Sequence, residues 1–123
     1  MEVKLFNGKV SIHAFGRDTV DWQVKELNNV ESYRKIGSMA RKLGVHTVWY
    51  PRTGTCNAKI VTEKDFPTNQ RFGIERVAIM TGVEASGCPV GKGEAFFIAS
   101  ADCPTMVVQD EVGQVVCAHA GRD

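Results

Sequence analysis

The apolar positions of the chain change period twice. Before residue 15 they alternate loosely around an Asn7-Gly8 dipeptide, which is a strong short-range hairpin signal, so a hairpin is predicted over 3–15. Val30, Tyr33, Ile36, Met39, Ala40 and Leu43 then recur at the three-and-four spacing of a helix face, with Asn29 where an N-cap belongs and Gly44 past the last turn. This spacing predicts one principal helix over 30–43. Arg41 and Lys42 complement the negative end of its dipole, while Gly37 inside it costs about 1 kcal/mol relative to alanine. Past Gly44 the pattern shortens to β-branched and aromatic runs, which predict strands at 45–50, 58–62, 76–81, 95–100, 106–109 and 114–119. Glycines and prolines separate these runs, and the segment 87–93, with Gly87, Pro89, Gly91 and Gly93, is expected to be a wide, mobile loop. One helix followed by several strands makes an α+β domain over 1–123, the helix packed on a largely antiparallel sheet.

Composition agrees with a globular chain. At 123 residues, 43% hydrophobic and 24% charged, it falls within the range of one domain, and no repeat or low-complexity tract divides it. Lys and Arg total 15 against 14 Asp and Glu, a formal charge of +1, which disfavours electrostatic binding of nucleic acid. Charged residues or glycine interrupt every apolar stretch before it reaches membrane-spanning length, so no membrane partner is expected. The first residues, Met1 to Lys9, contain no apolar signal core, and a cytoplasmic location is the expectation. In that reducing setting Cys56, Cys88, Cys103 and Cys117 are read as free thiols, and the absence of any CxxC pair argues against a zinc ribbon or a thioredoxin-type centre. A short chain with an open sheet edge is expected to form a homo-oligomer, most simply a dimer.

The chemistry-bearing residues gather near the carboxyl end. If Glu111, Val112 and Gly113 form a three-residue hairpin loop with Gly113 left-handed, Asp110 opposes Gln114 and Thr105 opposes His119. Cys103 then lies on the face of His119, one diagonal step away, at a backbone separation of about 7–8 Å that side chains can close. A register change of one residue would send the two to opposite faces. Two chemistries use a thiolate beside an imidazole: attack of an activated cysteine on a carbonyl or amide carbon, and shared ligation of zinc with a third protein ligand and an open position. A buried cysteine and a satisfied core histidine in an ordinary hairpin is the structural alternative.

Ser100-Ala101-Asp102-Cys103 before this hairpin and His119-Ala120-Gly121 after it resemble the T-A-D-C and H-A-G-W-R-G motifs of the laccase-domain (multicopper polyphenol oxidoreductase) family. The likeness covers 96–121 and extends weakly upstream through Arg41-Lys42-Leu43-Gly44 and Val48-Trp49-Tyr50, making the chain similar to a short, divergent member and to the amino-terminal half of that fold. The resemblance implies purine nucleoside phosphorylase and adenosine deaminase chemistry at a zinc site of two histidines and one cysteine. It also implies kinship of fold with deamidases that use a Cys and His pair. Cys103 matches the cysteine ligand and His119 the carboxyl-terminal histidine ligand. Gly54 falls where the other histidine stands, and Cys56, two residues on and on the same face of an extended chain, is the candidate substitute. Asp102 would orient His119 or a bound water. The resulting expectation is a zinc-dependent enzyme acting on a purine nucleoside or a related small molecule through Cys103, His119 and Asp102. The alternatives are a non-catalytic interaction protein that keeps the fold, and a metal-free Cys/His hydrolase.

Other residues have plainer readings. Arg34, Lys35, Arg41 and Lys42 suit a solvated helix face. Trp22 and Trp49 suit apolar burial, and the glycines of 87–93 lack the spacing of a phosphate loop. His13 shows no partner in the sequence, and Cys88 and Cys117 show no role, although Cys117 shares the strand face of His119.

Overall fold

A computed structural model describes residues 2–14, 30–53, 59–68, 71–98 and 105–120. These form one helix and nine strands in three sheets, four of the six strand pairings antiparallel, so the α+β expectation holds. None of the described helices is long and apolar enough to cross a membrane.

The helix α1 (Val30–Lys42) turns Tyr33, Ile36, Gly37 and Ala40 inward at successive three- and four-residue steps and leaves Arg34, Lys35, Arg41 and Lys42 exposed, as amphipathic spacing requires. The predicted cap Asn29 lies outside the described residues. At the other end Gly44, at φ +76°, lets Val45 N–H reach the Ala40 carbonyl (2.9 Å) and Gly44 N–H the Arg41 carbonyl (3.1 Å). This is the paired 6→1 and 5→2 closure of a Schellman motif, which redirects the chain into the first strand of the main sheet.

That sheet has the order β4 (Arg71–Ile74), β5 (Val77–Met80), β3 (Thr47–Trp49), β7 (Glu94–Phe96). The central strand β3 runs parallel to both neighbours, so the sheet under the helix is mixed rather than antiparallel. The sheet is covered on both sides. Val48, Val77 and Ile79 face α1 and pack with Tyr33, Ile36 and Ala40, and the Tyr33 ring stacks on Phe72 at 4.7 Å. Trp49 and Met80 face the other way and join Val61, Phe66, Ala85 and Cys88 in a second core. A continuously apolar central strand is what burial on both faces demands.

Three segments depart from the sequence reading. The expected mobile loop is instead a strand, β6 (Gly87–Val90), with Gly87 and Cys88 buried and paired to β9 (Val115–His119). The residues that suggested a loop have specific uses here. A Cβ on Gly87 would overlap the Cys117 carbonyl and sit 2.7 Å from Ala118 Cα, so the close strand approach requires glycine. Pro89 lies on a strand at the edge of its sheet, where a missing N–H is tolerated. The second departure is at 58–62, where the described part carries only an isolated bridge from Ile60 to Gly87. Strand β4 was not anticipated at all, because the tight turn joining it to β5 uses Glu75 and Arg76, both left-handed (φ +51° and +68°), in place of the usual Asn-Gly.

The amino-terminal hairpin forms as expected from β1 (Glu2–Leu5) and β2 (Val10–His13), with Phe6, Asn7 and Gly8 all left-handed in its loop. His13 pairs across it with Glu2, at 3.5 Å.

Candidate functional site

The third sheet, with the order β6, β9, β8 (Thr105–Gln109), carries the candidate site. Its β8–β9 hairpin has the register that the loop chemistry predicts: Gln109 opposes Val115, Val107 opposes Cys117 and Thr105 opposes His119. Local hydrogen bonds explain why the turn closes there. The Asp110 carboxylate accepts from the N–H groups of Val112 (3.0 Å) and Gln114 (2.8 Å), Gly113 N–H donates to the Asp110 carbonyl, and Asp110 N–H donates to the Gln114 carbonyl. Gly113 supplies the left-handed step at φ +90°. An Asx turn and a glycine therefore fix the register with no help from the core.

His119 ends β9. Its backbone N–H donates to the Ser86 carbonyl at 2.7 Å, tying it to the chain just before β6. Its Nδ1 is buried and has no hydrogen-bond partner among the described residues. An unsatisfied buried ring nitrogen is unusual in a folded protein, because desolvating it without a partner costs free energy, and it is the kind of atom a ligand or a bound ion satisfies. Cys103, Asp102 and Cys56 lie outside the described residues, as does Gly54. The register nevertheless puts Thr105, two residues after Cys103, directly across from His119. An imidazole nitrogen is a suitable zinc donor, so in its chemistry this buried Nδ1 is compatible with the histidine of such a group. Among the described residues no three His, Cys, Asp or Glu side chains converge on a metal position.

Cys117 shares the His119 face two residues back along β9, and across the β6–β9 ladder it opposes Cys88. Both are free thiols, at 1% exposure for Cys88 and 8% for Cys117. Burial, then the neighbouring Cys117 and Glu94, push the Cys88 thiol up to about 12; burial alone pushes Cys117 up to about 11. Neither is therefore a ready nucleophile at neutral pH. Glu94 on β7 is held in place by Trp49 Nε1–H (2.9 Å) and Gly91 N–H (2.7 Å), both donating to its Oε1. The Cys88–Cys117 pairing escapes sequence reading because the glycines and proline of 87–93 carry the pattern of a loop. The short run Cys88-Pro89-Val90 before Gly91 was the available signal.

Two surface depressions lie elsewhere. One of about 600 Å³ is lined by Tyr33, Arg34, Arg71, Phe72 and Glu75, and one of about 310 Å³ by Thr47, Trp49, Arg71, Met80 and Glu94. Neither includes His119, nor any cysteine. In comparison with known proteins, the chain matches no family model, no curated protein and no solved structure.

Proposed function

We propose that the chain is a laccase-domain-like protein, resembling the amino-terminal half of that fold, which acts on a purine nucleoside or a related small molecule at a site formed by Cys103 and His119. The observation that supports this reading is His119 itself, at the end of β9 and opposite Thr105, with an Nδ1 that is buried and without a partner among the described residues. His119, Cys103 and Cys56 would hold zinc, which when bound supplies a Lewis acid and a water of lowered pKa. Asp102 orients the His119 ring or that water through a hydrogen bond. His119 keeps its position because its own backbone is anchored at Ser86, so its ring presents one nitrogen at a fixed place. The same reading has the chain in the cytoplasm as a homodimer, with the outer edge of β8 and its half-exposed Met106 and Val108 as the surface left to cover.

The test is elemental analysis of protein purified without added metal, together with phosphorolysis and deamination assays on purine nucleosides. Zinc at about one equivalent, lost with activity in Cys103→Ser, is the expected result. Metal-free protein whose nucleoside binding is unchanged by Cys103→Ser would overturn the reading. Activity that survives chelation but is lost in Cys103→Ser would replace it with a metal-free Cys/His hydrolase.

A further inference from the structure

Two thiols that face each other inside a sheet invite a question the hairpin chemistry does not answer. Cys88 and Cys117 are directly opposite in the β6–β9 ladder. The His119 N–H bond to the Ser86 carbonyl identifies that pair as hydrogen-bonded, and antiparallel ladders alternate, so the Cys88–Cys117 pair two residues away is of the same type. Such pairs hold their Cα atoms about 5.5 Å apart, within the range of about 4.4–6.8 Å that a disulfide spans. The two side chains share one face of the sheet; Cys88 belongs to the second core, and Cys117 is also buried.

We propose that Cys88 and Cys117 are a redox-convertible pair, which a hydroperoxide oxidises to a cross-strand disulfide that pins β6 to the strand carrying His119. Cys117, the more exposed thiol, is oxidised first. Its sulfur attacks the peroxide, the O–O bond breaks, and a sulfenic acid and one water or alcohol result. The Cys88 sulfur then attacks the sulfenic sulfur, the S–S bond forms as the S–O bond breaks, and a water leaves with the hydroxyl and the Cys88 proton. Two thiols are oxidised by two electrons and one peroxide is reduced. Both thiols are buried in the closed sheet, so the reaction is slow there and proceeds as β6 opens. Opening is feasible because β6 is at the edge of its sheet, where among the described residues its outer side meets only a short stretch, Lys59 to Val61, at Gly87. The disulfide closes the chain between β6 and β9, removing conformations from the unfolded state, and it lies two residues from both Ser86 and His119. This inference rests on the β6–β9 register and not on the proposed activity, so either can fail alone.

The test treats the full chain, reduced beforehand, with hydrogen peroxide and maps the products by mass spectrometry. Trypsin with a glutamate-specific protease separates the three carboxyl-terminal cysteines, since Cys88 lies between Arg76 and Lys92 while Glu111 divides Cys103 from Cys117. The expected product joins the Cys88 and Cys117 peptides with the loss of two hydrogens, is reversed by dithiothreitol, and melts above the reduced protein. Cys88→Ser should leave Cys117 as a sulfenic acid that dimedone traps. Linkage of either thiol to Cys56 or Cys103 would overturn the proposal. So would survival of both as thiols after Cys103 is fully oxidised, and both results can be read on the unmutated protein.

Discussion

On one face of the main sheet Val48, Val77 and Ile79 meet Ile36 and Ala40 of α1; on the other, Trp49 and Met80 meet Cys88 of the third sheet and Phe66. The first region is aliphatic packing capped by a tyrosine and a phenylalanine. The second embeds a thiol, an indole N–H that needs the Glu94 carboxylate and, at its margin, a histidine nitrogen without a partner. Both regions bury the same central strand, so the difference is not one of depth. The helix side is aliphatic packing, and the third-sheet side accepts polar and titratable groups that carry a desolvation cost.

The largest effect that would sharpen this contrast is Ile79→Ala, which empties the middle of the helix-side core. A loss of about 3–4 kcal/mol in denaturant unfolding is expected, because Ile79 has no exposure and the rigid sheet around it cannot collapse. Gly87→Ala strikes the other region through backbone overlap with Cys117 and Ala118, with an expected cost of about 2–3 kcal/mol from forced strand displacement. Equal tolerance of alanine at Gly87 and at an exposed site would show that β6 does not pair as described.

Alkaline titration should also probe the third-sheet side through Cys88. The folded-state pKa of Cys88, pushed up to about 12, exceeds the ordinary thiol value near which the unfolded chain titrates, so the unfolded state sheds its proton first. Stability is therefore intact below about pH 8.5 and falls as pH rises from there toward 12, by up to about 1.4 kcal/mol per unit for this thiol. Cys88→Ala should flatten that slope in denaturant melts, whereas a slope unchanged by the substitution would place the titration elsewhere.

Gly37→Ala is expected to destabilise by about 1 kcal/mol, as steric overlap outweighs the gain in helix propensity. The added Cβ would lie 2.9 Å from Ile74 Cγ2, so the glycine that looks like a flaw in the helix pattern is what lets α1 approach β4. The smallest effect is favourable: Arg76→Gly relieves a left-handed non-glycine residue in the β4–β5 turn and should raise stability by about 0.5–1 kcal/mol in thermal melts.

What could be read from the sequence follows from where local chemistry decides the structure. The helix, its Gly44 stop and the β8–β9 register were legible because each depends on residues a few positions apart, Asp110 and Gly113 above all. Strands β4 and β6 were not, because their signals are tertiary. Glu75 and Arg76 adopt a turn their side chains do not favour, and Gly87 serves a strand it does not fill. The site divides along the same line. The Thr105–His119 pairing was predictable from the hairpin loop, whereas the Cys88–Cys117 pairing needed a strand partner 29 residues away in the chain, which no periodicity announces.

The claim that Cys103 and His119 share one site is tested most directly by cobalt substitution. Protein stripped with a chelator and reloaded with Co²⁺ should show an intense near-ultraviolet thiolate-to-cobalt band together with visible bands of tetrahedral strength. Cys103→Ser should abolish the thiolate band if no other thiol replaces it, and weaken it if Cys56 also ligates. His119→Ala should alter the visible bands and lower the affinity, because imidazole nitrogen is a borderline-soft donor that such a site needs. Spectra and affinity indifferent to both substitutions, in protein that folds as the unmutated chain does, would contradict the account.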